Sequence, residues 1–246
     1  MDTRLDEWIT YLPEHRINIF CIGVDQIQLL KKTLGKKFFQ NRYNILYGSW
    51  EFNRLPKKWV NSLIEMNEIW AMSNFVGQMF RSSTTNFVHV FQHPVVLEIP
   101  KSSNRSQFKI QKNNFVFLFM FDFDSHAARK NPEAVIKAFE YAFPKSSKNP
   151  VSLVIKSINS DRHLKEHKAI KKLIDRDSRI VHIQKVLPHS ENAALMDCCD
   201  CYVSLHRSEG FGLTIAEAML AGKPVITTAY SGNMDFTTYD TSLLVD

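Results

Sequence analysis

The chain is short of several things, and each shortage closes off a class of protein. Four cysteines in 246 residues cannot frame a disulfide-stapled fold of this size. Three of them, Cys198, Cys199 and Cys201, lead directly into an apolar run and are expected as buried thiols. No second pair of ligands stands at zinc spacing from them. No stretch reaches the roughly 18 to 20 consecutive apolar residues of a membrane span. The amino terminus, Met1-Asp-Thr-Arg-Leu-Asp-Glu7, lacks the basic start and apolar run of a secretory signal. A cytoplasmic protein is expected, with peripheral attachment to a membrane surface left open. The excess of 31 Lys and Arg over 25 Asp and Glu, a net charge of +6, suits an anionic ligand. It comes without an interleaving of aromatic and basic residues or a reader motif, so no nucleic acid partner is expected. With 44% hydrophobic and 23% charged residues, the chain has the makeup of a globular protein of one large or two small domains.

What is present centres on Ser204 to Thr227. Cys201-Tyr-Val-Ser-Leu205 reads as a strand, and Gly210-Phe211-Gly212 as a tight turn able to approach a ligand closely. A short helix follows. Thr214 and Glu217 have the spacing of a capping box, Gly222 stands where a helix end favours a left-handed residue, and Pro224 stops the helix before the strand Val225-Ile-Thr-Thr228. A strand, turn, helix and strand in this order belong to a parallel sheet, and the first-turn amides of such a helix receive anions, phosphate above all. Glu209 and Glu217 flank the same glycines, eight positions apart. Carboxylates do nothing for a phosphate, but they accept hydrogen bonds from hydroxyls beside one. The pair therefore points to a sugar nucleotide, although Glu217 alone would serve equally as a helix cap and Glu209 alone as a solvated loop residue.

Glutamate, Gly-Phe-Gly and a second glutamate at this spacing resemble the retaining glycosyltransferases of family four. The Ala-Gly-Lys-Pro-Val-Ile exit and Ser231-Gly-Asn-Met-Asp235 extend the likeness. The resemblance implies a GT-B fold, two Rossmann-like parallel-sheet domains facing a cleft, with the amino-terminal one incomplete. It implies that Glu209 contacts the transferred hexose and that Glu217 holds the ribose. The amides of Gly210, Phe211, Gly212 and Leu213 would lie near the sugar and diphosphate. In the loop after the strand Asn114 to Phe121, Lys130 matches the lysine that meets the donor diphosphate. The arginine that usually accompanies it would fall near Ser125, so Arg129, Lys156 or Arg207 must supply that charge. The base would be read by backbone near Gln184 to Leu187. His182 and His189 read as ordinary histidines.

Earlier in the chain, Ile17 to Val24, Asn44 to Tyr47 and Glu68 to Met72 read as strands. They alternate with helices over Asp25 to Lys37, Val60 to Glu68 and Ser73 to Arg81. Ile45-Leu-Tyr-Gly-Ser-Trp-Glu-Phe52 and Glu68-Ile-Trp-Ala-Met-Ser-Asn-Phe75 resemble the later part of the family's acceptor-side domain. Trp50 and Glu51 stand where a strand gives way to a loop, a place able to face acceptor. The polar Lys101-Ser-Ser-Asn-Arg-Ser-Gln107 reads as a linker, dividing the chain into 1–105, a partial acceptor-side domain, and 106–246, the donor domain. Against the family pattern, the first strand with its glycine loop and the closing helices are missing, so the chain is expected to be truncated at both ends.

The expected activity is transfer of a hexose, mannose or glucose, from a donor such as GDP-mannose or UDP-glucose to a glycan, lipid-linked or polysaccharide acceptor. Lys130, Arg207 and the glycine-turn amides would stabilise the leaving group. No cofactor is expected and no metal. Asp122-Phe-Asp124 has the Asp-x-Asp spacing but precedes a phosphate-side helix. The alternative is a module that binds a sugar nucleotide or a partner without turnover.

Overall fold

Most of the apolar runs are followed by a helix with one apolar side, and such a helix supplies the crossover that parallel pairing needs. The computed structural model, which describes residues 14–100 and 102–246, contains this arrangement twice. The chain divides into two units between His93 and Pro94.

In the first unit, β1 (Ile17–Gly23), α1 (Ile27–Leu34), β2 (Tyr43–Ser49), α2 (Lys57–Val60), β3 (Glu68–Ala71), α3 (Asn74–Ser83) and β4 (Phe87–Val90) follow in order. The four strands pair in parallel in sequence order. One face of the sheet packs through Phe20, Leu46 and Ile69 against Ile27 of α1 and Val76 and Phe80 of α3. Ser73 caps α3 as its sequence suggests, accepting from the Val76 amide at 3.2 Å. The helix expected over 60–68 is shorter. The chain tightens into a 3-10 turn at Asn61–Glu65, where the Glu65 and Met66 carbonyls are taken by the side-chain amides of Asn44 and Asn86 and helical bonding stops. Trp50 is a partly buried prop: its indole lies 4.9 Å from Trp59 and its Nε1 donates to the Arg54 carbonyl.

The second unit runs β5 (Phe115–Asp122), α4 (Ala127–Lys130), α5 (Pro132–Ala142), β6 (Val151–Ile158), α6 (Leu164–Ile174), β7 (Ile180–Gln184), α7 (His189–Cys198), β8 (Cys201–Ser204), α8 (Leu213–Leu220), β9 (Val225–Thr228) and β10 (Leu243–Val245). Its six strands are all parallel, in the order β10-β9-β8-β5-β6-β7. The first strand is thus central. The chain winds outward to β7, returns to the other side of β5, and winds outward again. This is the doubly wound order, whose ligand crevice lies where the winding reverses, at the carboxyl ends of β5 and β8. Both faces of this sheet are covered. One carries Leu118, Val154 and Tyr202 with α7 and α8, the other Phe119, Ile155 and Val203 with α5 and α6.

The unit division precedes the polar stretch that reads as a linker, because that stretch is already pinned to the second unit. Arg105 Nη2 meets Asp200 Oδ2 at 2.7 Å, its Nε donates to the Cys198 carbonyl at 3.0 Å, and Phe108 enters the core. Two hydroxyl residues near helix starts, Ser190 and Thr214, do not act as caps. Helix α7 begins at His189 with Pro188 before it, so Ser190 lies inside the first turn and caps nothing. Helix α8 begins at Leu213 with Gly212 as its cap, which places Thr214 inside the helix and removes the capping box. Its other end follows the sequence. Gly222, at φ +70°, donates to Met219, and Lys223 donates to Ala218, closing a Schellman turn.

Candidate functional site

The reversal point gathers four loop segments. After β5 the chain makes the single turn of α4, which carries Arg129 and Lys130. Asn131, left-handed at φ 58°, separates α4 from α5 and donates through Nδ2 to the Leu205 carbonyl at 2.8 Å. The Arg207 amide donates to the Arg129 carbonyl at 2.8 Å. These two bonds fasten α4 to the loop leaving β8, which carries Glu209.

Glu209 is the centre of the site. It is 8% exposed, with Lys130 Nζ 2.5 Å from one carboxylate oxygen and Arg129 Nη1 3.0 Å from the other. Burial pushes a carboxyl up, but here Lys130 and then Arg129 outweigh it, and the Glu209 carboxyl is held below its ordinary value. Arg129 also bonds the Ser208 carbonyl at 2.8 Å and the Ser125 carbonyl at 3.2 Å. It is therefore the cation that shares Glu209 with Lys130. Arg207 is placed differently. Its side chain is exposed and its Nη1 donates to the Ala128 carbonyl at 2.5 Å, so it braces α4 and does not touch Glu209.

The glycine turn carries the chain from Glu209 into α8. Gly212 has φ +97°, and a side chain there would also press on Ile215. Phe211 is buried against Phe236, ring centres 5.1 Å apart. The Ile215 and Ala216 amides return to the Gly212 carbonyl, while the Leu213 and Thr214 amides donate to no acceptor among the described residues. The positive end of α8 is therefore open beside Lys130 and Glu209.

Glu217 follows one turn along α8. It is partly buried, and its carboxylate has no hydrogen bond or ion pair among the described residues; burial pushes its carboxyl up, with His189 opposing. A carboxylate with nothing to cap is free to accept from a ligand. Lys156 is buried on β6 and also lacks a partner among the described residues. Burial pushes its ammonium down against the pull of Asp122, and it does not reach Glu209.

The Asp-x-Asp carboxylates are engaged with protein groups. Asp122 accepts from Asn159 at 2.8 Å, and Asp124 from Arg162 at 2.7 Å and His163 at 2.8 Å. Among the described residues no three His, Cys, Asp or Glu are grouped to hold a metal ion, and no helix is long and apolar enough to cross a membrane. His182, beside Ser157 Oγ at 2.9 Å, is pushed down to about 4 by burial and by His167. It is neutral at physiological pH.

Three further residues complete the site. His206 is 1% exposed, with Nε2 3.2 Å from the Tyr230 carbonyl and 3.1 Å from Asn233 Oδ1. Two acceptors at Nε2 place the proton there, leaving Nδ1 to accept from Ser204 Oγ at 3.1 Å. Ser231 Oγ accepts from the Glu209 amide at 2.8 Å, and the Gly232 amide donates to the Glu209 carbonyl at 2.9 Å. The available sequence signal is positional: a Ser-Gly-Asn at the carboxyl end of a strand lies on the same sheet edge as the glycine turn.

The fold recurs in known structures. It matches Anabaena HepE in complex with UDP-glucose at a TM-score of 0.71 and 17% identity, covering 90% of this chain and 62% of that one. Sucrose-phosphate synthase from Thermosynechococcus elongatus gives 0.74 and 16%, over 94% of this chain and 60% of that one. A UDP-forming trehalose-phosphate synthase from Burkholderia xenovorans gives 0.64 and 13%, over 99% and 64%. The chain thus spans less than two thirds of the length of each. The likeness extends across both units and bears out the GT-B-like architecture. A comparison with curated protein sequences gives no match. Residues 100–245, more than half of the chain, match the family described as glycosyl transferases group 1. These residues contain the whole Glu209 site, and the chain belongs to the group 1 glycosyl transferases.

Proposed function

We propose that the chain transfers a hexose of the glucose or mannose type from a nucleoside diphosphate sugar to a glycan, lipid-linked or polysaccharide acceptor, with retention at the anomeric carbon. The observation that carries the reading is the buried Glu209 carboxylate, gripped by Lys130 and Arg129 beside the open amides of α8.

Two cations this close to a helix amino terminus form a receptacle for a diphosphate. As the diphosphate arrives it offers Lys130 and Arg129 a second anionic partner. Glu209 is then released to accept hydrogen bonds from hexose hydroxyls. As the acceptor hydroxyl oxygen bonds to the anomeric carbon and gives up its proton, the bond from that carbon to the diphosphate oxygen breaks, and the negative charge that develops on the departing nucleoside diphosphate falls on Lys130, Arg129 and the turn amides, already oriented and largely dry. In this scheme protein groups alone neutralise the donor. Glu217, unpaired on α8, accepts from the ribose hydroxyls. That HepE and the trehalose-phosphate synthase are UDP-glucose-bound and UDP-forming respectively supports a nucleotide sugar as donor.

The test is calorimetric titration of UDP-glucose and GDP-mannose into the wild type, Lys130→Ala and Glu217→Ala, with folding of each variant checked by circular dichroism. The reading requires that one donor bind the wild type and bind both variants at least about tenfold, or 1.4 kcal/mol, more weakly. Anomeric configuration of the product, by NMR, then decides retention. Binding with neither transfer nor hydrolysis would indicate a sugar-nucleotide binder instead.

A further inference from the structure

Ser231 holds a backbone conformation, φ 82° and ψ −150°, that belongs almost entirely to glycine. Here a serine occupies it, 6% exposed, between β9 and the 3-10 turn Gly232–Asp235. Such a conformation persists only where the surroundings over-determine it. On one side of Ser231, His206 Nε2 lies 3.2 Å from the Tyr230 carbonyl. On the other, Asn233 is held by the same imidazole, by the Thr228 carbonyl at 2.9 Å and by Thr237 Oγ1 at 3.2 Å. Gly232 is pressed so closely on the glycine turn that a Cβ there would lie 2.1 Å from the Gly210 carbonyl oxygen. The strained residue is thus clamped before and after. Its hydroxyl, with the next amide, grips both backbone groups of Glu209, at 2.8 and 2.9 Å.

We propose that Ser231 is a positioning residue for the hexose-contacting carboxylate. Its strained backbone delivers the hydroxyl to the Glu209 amide and so holds that carboxylate at the place where hexose hydroxyls arrive, with His206 as the brace that maintains the strain. A glycine would take the conformation without strain but would leave the buried Glu209 amide unbonded. An alanine would keep the strain and lose the bond as well. The presence of serine against its own backbone preference is explained by the bond. The inference rests on the donor reading above and adds that Glu209 needs an external hold while the diphosphate cations do not.

The experiment compares Ser231→Ala, Ser231→Gly and wild type in two measurements. In the first, each binds a matched pair, UDP and UDP-glucose or GDP and GDP-mannose, by calorimetry. Both variants should lose about tenfold or more in affinity for the nucleotide sugar, with no loss for the nucleoside diphosphate, which never touches Glu209 in this scheme. Parallel loss of both ligands, or loss of neither, overturns the positioning role. In the second, thermal melting without ligand should place Ser231→Gly above Ser231→Ala, since only glycine is relieved of strain. An alanine variant melting at or above the glycine variant overturns the strain assignment. A wild type that binds no nucleotide sugar overturns the donor reading and the positioning role together, while the melting order still reads the strain on its own.

Discussion

Replacing Glu209 by glutamine should weaken the free protein and yet tighten its hold on a nucleoside diphosphate. In the wild type two cations share one buried carboxylate, at 2.5 and 3.0 Å. Removing one partner of a buried ion pair costs about 3–5 kcal/mol. Glutamine keeps an acceptor oxygen for one of the two cations, so a loss near the lower end, about 3 kcal/mol, is expected. At about 2–4 °C per kcal/mol for a domain of this size, the melting temperature should fall by about 6–12 °C. The ligand should respond in the opposite sense. A diphosphate entering the wild type must draw Lys130 and Arg129 from Glu209, and hydrogen bonds to charged groups are worth about 1.5–3 kcal/mol each. Without that competition UDP or GDP should bind about tenfold more tightly or better, a gain of at least about 1.4 kcal/mol. Ligand at about a hundred times Kd would return about 2.7 kcal/mol, nearly restoring the melting temperature of the free wild type. Calorimetry and thermal melting with and without nucleotide measure both effects. A folded Glu209→Gln protein that binds both diphosphates more weakly than wild type would refute the reasoning, because Lys130 and Arg129 would then not be the diphosphate ligands.

Other outcomes follow from the same geometry. Gly232→Ala places a Cβ 2.1 Å from backbone that cannot yield, so a loss above about 4 kcal/mol is expected, seen as insoluble expression or a melting temperature lowered by more than 8 °C. Glu217 is raised above the ordinary carboxyl value of 4.5, so the folded state favours its neutral form and loses stability as pH rises through the folded value. Glu217→Gln should therefore melt above wild type at pH 7, and the difference should vanish below pH 4.5; a constant difference across this range would contradict the assignment. Cys21 is exposed, whereas burial pushes Cys198 up, Cys199 to about 12 and Cys201 to about 11. Of the four thiols only Cys21 should react with Ellman's reagent in the native protein at pH 8, and all four after denaturation.

Much of this protein is written in short-range pattern. Apolar runs alternating with one-sided helices dictate parallel strands, because a parallel crossover needs a helix and a strand covered on both faces needs no polar alternation. The Gly212 turn, the Gly222 ending of α8 and the Glu209 to Glu217 spacing lie within fifteen residues and depend on local backbone preference, so they are legible one after another along the chain. The capping box expected of Thr214 and Glu217 is the local feature that does not form. A competing start two residues away, at Gly212, satisfies the same amides or leaves them for a ligand, and spacing alone does not separate these. What only the tertiary structure decided are the partners of long sequence separation. That Arg129, and not Arg207 or Lys156, joins Lys130 on Glu209 depends on α4 meeting the β8 loop across 79 residues. That Ser231 and His206 belong to the site depends on β8 and β9 ending side by side. A sequence records which groups are near along the chain; which charges share a dry pocket is set by strand order, and in this sheet that order reverses at the site itself.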